Sequence, residues 1–240
     1  MAKERVTVCL PACDRGEVHE AIGAALAPYD YNREDVPDDP EWMGEWDHWQ
    51  IDGRGCEFPV LPRSEDDPRL IRGELDLRGV PRVFPPGTCD GGPRGLLDFD
   101  AARRPVAAEA ARDFHDWHDF AARHPAAHPL EFFWEKHQGD PAWPPRRVHE
   151  EYLGQAVLKA LHDERPDLRD RIGSYPVGGF GDDLAAYVEE RAVAVLPTNA
   201  LLTLDGQWRG IAGLELRRYV NAYLDELPAD AIVVRVLYHG

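Results

Sequence analysis

The sequence predicts an α+β fold in which a ferredoxin-like antiparallel sheet, with its helices on one face, is assembled from the two chain ends. These are residues 1–54 and 198–240, and a mostly helical, proline-rich insertion, residues 55–197, lies between them. Three observations support this. The N-terminal segment reads as β-α-β, the C-terminal segment reads as β-β-α-β, and the middle has helical periodicity broken by proline-rich connectors.

Residues 5–10 alternate, with Val6, Val8 and Leu10 on one face, as in a half-buried strand. A helix is expected over residues 17–27, because Val18, Ala21, Ile22, Ala25 and Leu26 form one stripe; Asp14 is the expected N-cap and Pro28 the stop. An acidic, turn-rich loop follows. Residues 46–51 then read as a strand ended by Asp52-Gly53, whose pleat would send Trp46 and Trp49 to opposite faces. In the middle, helices are expected over residues 105–122, 150–164 and 182–193, with extended or turn-rich connectors at 78–94 and 139–145. From Ala200, two short strands flank Asp205-Gly206, a pair suited to the positive φ angles of a type I′ turn. Leu216, Tyr219, Val220, Tyr223, Leu224 and Leu227 share a helical face closed by Pro228, and residues 231–238 are apolar and β-branched enough for a central strand.

The 44 acidic and 27 basic side chains give a formal charge of −17 and a pI near 4.9. A protein that grips a phosphate backbone unaided needs a positive stripe, and a pI above roughly 9 is its usual footprint. Here arginines come as separate pairs beside carboxylates, Arg103-Arg104, Arg146-Arg147 and Arg217-Arg218, so direct nucleic-acid binding is not expected. A chain that is 43% hydrophobic can bury a core. No run approaches the roughly 18 apolar residues of a membrane span, and the charged N-terminus is unlike a signal peptide, so a cytoplasmic protein is expected. Cys9, Cys13, Cys56 and Cys89 are too few for a secreted disulfide scaffold.

Several chemistries compete with plain structure. His115 and His118, at i and i+3 beside Asp116 and Asp119, with His124 and His128 following, could ligate zinc or iron in a metal-dependent enzyme. There is no Cys-x2-Cys or His-Glu-x2-His motif, however, Pro125 and Pro129 interrupt the helix, and a polar helix face accounts for the same residues, so no cofactor is expected. Cys9 and Cys13 end the first strand, where α/β enzymes place nucleophiles, near Asp14, Glu17 and His19; a cysteine in an alternating strand is more often a small core residue. Gly178-Gly179-Phe180-Gly181 lacks the strand and lysine of a phosphate cradle. An acidic DNA mimic would order its carboxylates in rows, whereas residues 35–45 mix them with proline and tryptophan.

The aromatic residues carry more information. Trp42, Trp46 and Trp49 gather in an acidic stretch, and Phe132, Phe133, Trp134 and Trp143 crowd a proline-rich segment with no periodicity to bury them. Exposed Trp and Phe rimmed by charge are typical of protein-binding hot spots, so Trp42, Phe132, Phe133, Trp134 and Trp143 are the candidate partner contacts.

Glu45-Trp46-Asp47-His48-Trp49-Gln50-Ile51-Asp52-Gly53-Arg54 resembles the Trp-Asp-Trp-x-x-Ile-Gly-Gly-Arg-Trp signature of small proteins from actinobacterial phages and their hosts. Residues 198–208 and 227–239 resemble that group's Asp-Gly-x-Trp hairpin and closing strand. Trp46, Asp47, Trp49, Gly53, Arg54, Asp205, Gly206 and Trp208 are the motif and structural residues of these segments. Asp52 replaces the first glycine and Gly55 the last tryptophan, so a role resting on a tight glycine turn or a tryptophan there does not carry over. Size, acidity and an arginine-rich composition are also similar to one subset, the recombination directionality factors of Streptomyces temperate phages. The resemblance implies an accessory protein without covalent chemistry. It would bind a large serine integrase near its coiled-coil and zinc-ribbon region and shift it from integration (attP × attB) toward excision (attL × attR).

Overall fold

The apolar run near the C-terminal end forms a strand, β8 (Ile232–His239), that is buried on both faces, as a near-continuous hydrophobic strand should be. In this computed structural model the structure describes residues 3–34, 44–51, 58–73, 80–140, 142–193, 196, 198–210 and 213–239. They divide into two units, Met1–Arg103 with Val193–Gly240, and Arg104–Ala192. The sheet unit thus takes in residues 58–103, which the sequence reading gave to the insertion.

One edge of β8 pairs antiparallel with β1 (Lys3–Leu10), from Lys3↔His239 to Leu10↔Ile232. Its other edge is shared end to end. β2 (His48–Ile51) covers residues 236–239 and β5 (Gly91–Pro93) covers 232–234. Gly91 is required there, because a Cβ would stand 2.3 Å from the Val233 carbonyl oxygen. β6 (Ala200–Leu202) lies beside β1, and β7 (Trp208–Arg209) beside β6, giving the order β2-β8-β1-β6-β7 in a six-stranded sheet. β3 (Phe58–Pro59) and β4 (Thr88–Cys89) form a separate pair.

The α+β class holds, but the ferredoxin-like arrangement is corrected twice. β1 and β6 are parallel, so the sheet is mixed, an arrangement open to them because a long connection separates the two strands. The helices also cover opposite faces. Val6, Val8, Leu10, Val234 and Val236 pack with Val18, Ile22 and Leu26 of α1 (Val18–Leu26), while Cys9, Leu201 and Val233 pack with Leu216, Val220 and Leu224 of α8 (Leu214–Glu226). Each such side chain, removed from water, stabilises the fold by about 1.5–3 kcal/mol.

Local expectations change as well. Glu17 rather than Asp14 precedes α1, with no side-chain cap, and its carboxylate instead accepts the Asp14 N–H. Trp46 lies outside β2, so strand alternation does not govern it; both Trp46 and Trp49 pack on the α1 face, and the Trp46 indole donates to the Leu26 carbonyl at 3.0 Å. The Asp205-Gly206 hairpin is not a type I′ turn. Among the described residues no non-glycine has positive φ, Gly206 does (φ +76°), and the Gly206 N–H donates to Thr203 O while the Thr203 N–H donates to Gln207 O. This matches a three-residue loop ending in a left-handed glycine.

The second unit is helical. Its elements are most of α2 (Phe99–Ala121), α3 (Leu130–Lys136), α4 (Pro145–Leu153), α5 (Ala156–Glu164), α6 (Pro166–Ile172) and α7 (Leu184–Val193). The single helix expected over 150–164 is two, broken where Gly154 closes α4 and Gln155 turns extended. Phe114, Phe120, Phe133, Tyr152, Leu161 and Leu168 anchor its core. No helix among the described residues is long and apolar enough to cross a membrane.

One buried ion pair ties the irregular segment to the sheet. Arg82 donates to both carboxylate oxygens of Asp90, at 2.5 and 3.1 Å, and the Gly73 N–H donates to the same carboxylate at 2.7 Å. Both side chains are almost wholly buried. Removing one partner strands a buried charge, so Arg82→Ala should lower unfolding free energy by about 3–5 kcal/mol in a denaturant titration. A loss below about 1 kcal/mol would mean that the pair is solvated.

Candidate functional site

The aromatic segment of the second unit carries the candidate partner contacts that fall among the described residues. α3 is only seven residues long, and Pro129 precedes it in an extended conformation. The helix turns Phe133 inward against Val148 and Tyr152, whereas Phe132 and Trp134 stay exposed, each about two-fifths accessible. Phe133 is therefore corrected from partner contact to core, since one residue in three or four on a helix must face inward. Phe132 stacks on His128 at 4.0 Å. Trp42 lies outside the described residues, as do Gly53 and Arg54.

Beyond the C-terminal end of α3, Trp134, His137, Asp140 and Trp143 line an open groove of about 690 Å³. Its floor is fixed by a chain of contacts. Glu151 on α4 accepts from Lys136 Nζ and pairs with His137 Nε2, each at 2.6 Å, and the His137 ring stacks on Trp143 at 3.6 Å with planes 9° apart. The hydrogen bonds from Lys136 and His137 hold the Glu151 carboxyl below the ordinary carboxylate range. Trp134 meets His149 edge-on at 5.7 Å, and His149 Nδ1 shares a 2.9 Å hydrogen bond with the Tyr175 hydroxyl. Sequence reasoning missed His137 and Glu151 because their pairing spans 14 positions and two short helices. The available signal was charge complementarity between Lys136-His137 and Glu150-Glu151.

Several of the other chemical candidates are engaged in structure. His118 stacks on Phe114 at 4.0 Å, with Nδ1 and Nε2 at 2.8 and 3.0 Å from the carbonyl oxygens of Phe114 and Gly181. His115 is exposed, and Asp113 and Asp116 both accept from Arg171. Those residues do not converge on one point, and among the described residues no group of three or more His, Cys, Asp or Glu is placed to hold a metal. Cys9 sits in the core, and burial pushes its thiol up to about 12; the Cys13 thiol is raised by desolvation and by Glu17 and Asp14. Both shifts disfavour the nucleophilic thiolate.

The end motifs form part of the sheet unit. Trp208 packs on Tyr29 and Tyr238, the Tyr29 hydroxyl donates to Gly206 O and accepts from the Trp208 N–H, and Thr203 Oγ1 donates to Asp205. Asp47 pairs with His239 Nδ1 at 2.7 Å, which lowers its carboxyl below the usual range. These residues join α1, the hairpin and β8. Comparison of the chain with protein-family models, curated proteins and solved structures finds no match.

Two outcomes follow from this geometry. Phe133→Ala should cost about 3–5 kcal/mol of stability, as for a buried aromatic, and Trp134→Ala less than about 1 kcal/mol; calorimetric melting of both variants checks the assignment. Glu151 has a depressed folded-state pKa, so its contribution is present in full above the unfolded value and disappears as pH falls through the folded one. The melting difference between wild type and Glu151→Gln should therefore be largest at neutral pH and close on acidification below about pH 4. A difference independent of pH would show that the carboxylate charge is not what holds His137.

Proposed function

We propose that this protein is a non-enzymatic accessory factor that binds a large serine integrase in the cytoplasm of a bacterial host and biases recombination from attP × attB toward attL × attR. The resemblance of the two chain ends supplies the partner. The structural observation that carries the reading is the exposed aromatic groove at α3, set in a strongly acidic chain in which Cys9 and Cys89 are buried and His118 is held by Phe114 and two backbone carbonyls.

An integrase is a basic DNA-binding protein. A partner of charge −17 is steered to it and repelled by DNA, and such complementarity acts chiefly on association rate and selectivity. The switch itself is allosteric. A factor shifts a synaptic equilibrium only by its differential affinity for the two arrangements, about 1–3 kcal/mol per coupled site, and several subunits each carrying a factor multiply the bias. The docking surface in this reading is Phe132, Trp134 and Trp143.

The test is recombination with purified integrase. Adding the protein should raise attL × attR product by about 5–150-fold and suppress attP × attB product, with no shift of labelled DNA by the protein alone at physiological salt. An unchanged yield in both reactions overturns the proposal.

A further inference from the structure

We propose that the groove at the end of α3 is a receptor for an arginine side chain carried on a basic segment of the partner. One wall of the groove is held by contacts within the chain. Glu151 holds His137 against Trp143, so the indole that forms one wall is already ordered and binding loses little side-chain entropy. Trp134, touched edge-on by His149, offers open ring surface on the same groove.

The charge of the rim decides the occupant. Glu135 and Asp140 both line the groove, Asp140 with one carboxylate oxygen accepting the Ala142 N–H at 2.8 Å, while the neighbouring cations are paired elsewhere: Lys136 with Glu151 at 2.6 Å and Arg146 with Glu150 at 2.8 Å. Arg147 donates to the Ala142 carbonyl at 2.8 Å, and its guanidinium lies 5.6 Å from the centre of the Trp143 ring, an internal example of the contact proposed for the ligand. Two carboxylates beside open indole surface fit a flat, weakly hydrated cation that can stack and donate in a fork, which describes a guanidinium better than a compact, strongly hydrated ammonium. A phosphate-bearing ligand would be repelled, and a neutral one would leave the carboxylates unmatched. The identity of the partner as an integrase rests on the proposed function; the arginine preference does not.

The probe is a peptide, acetyl-Ala-Arg-Leu-Arg-Ala-amide, titrated into the full chain while the indole N–H resonances are followed, with Trp134→Phe and Trp143→Phe assigning the two signals. The arginine peptide should shift both saturably. Its lysine counterpart should bind more weakly and its citrulline counterpart not at all, and Glu135→Gln with Asp140→Asn should weaken arginine binding about tenfold at unchanged melting temperature. No saturable shift at either indole, or equal binding of the citrulline peptide, overturns the inference. A second arm separates it from the functional reading. If wild type binds purified integrase and the Trp134→Ala, Glu135→Gln, Asp140→Asn variant binds equally well, the groove is not the partner's receptor, although the function stands. If wild type does not bind integrase, the function falls and the peptide titration alone decides the groove.

Discussion

Everything in the sheet unit depends on the two-sided burial of β8. Val234 and Val236 close the core beneath α1, and Val233, one position out of phase, closes the core beneath α8, so a single strand holds the two hydrophobic layers together. A one-residue slip would exchange the two faces wholesale. Arg235 sharpens the constraint: the strand's one arginine is buried on the α8 side, its guanidinium 4.3 Å from the centre of the Phe58 ring. Register is thereby tied to the small β3–β4 pair as well as to the apolar pattern. Asp90 adds a further tie, since its carbonyl accepts the Arg235 N–H while its carboxylate holds Arg82 and Gly73.

The regular elements of this unit were legible because each has enough residues to show a period. β1, α1, α8 and β8 fall where alternation or a helical stripe put them, within a residue or two at their ends. Pairing was not legible. Periodicity reports which positions are buried, never by what, so neither the parallel β1–β6 contact nor the placing of α1 and α8 on opposite faces could be read from it. Strands of two or three residues, such as β4 and β5, carry no period at all, which is why residues 58–103 looked like insertion. What did hint at the true layering was β8 itself, apolar at consecutive positions in the manner of a strand covered on both sides.

The candidate site divides in the same way. Trp134 and Trp143 were recognisable as aromatic residues in a proline-rich setting, but Phe133 could not be told from its neighbours, because a seven-residue helix is too short a window for a stripe. The Trp46–Trp49 pair misled for the opposite reason: a strand period was applied to a residue that precedes the strand. Where the chain is acidic, the structure shows a mixture of use. Glu151, Asp90 and Asp113 are bound to cations in specific geometries, while Glu135 and Asp140 line the groove and leave negative charge beside aromatic surface.

The pairing of β1 with β8 also has a consequence for synthesis. Val6 and Val8 acquire their antiparallel partners, Val236 and Val234, only when the ribosome has delivered nearly the whole described chain. The helical unit, contiguous in sequence, can fold while the first strand still waits. During that interval the nascent chain carries an apolar strand with both edges open, which makes it a natural client for chaperones that hold extended hydrophobic segments.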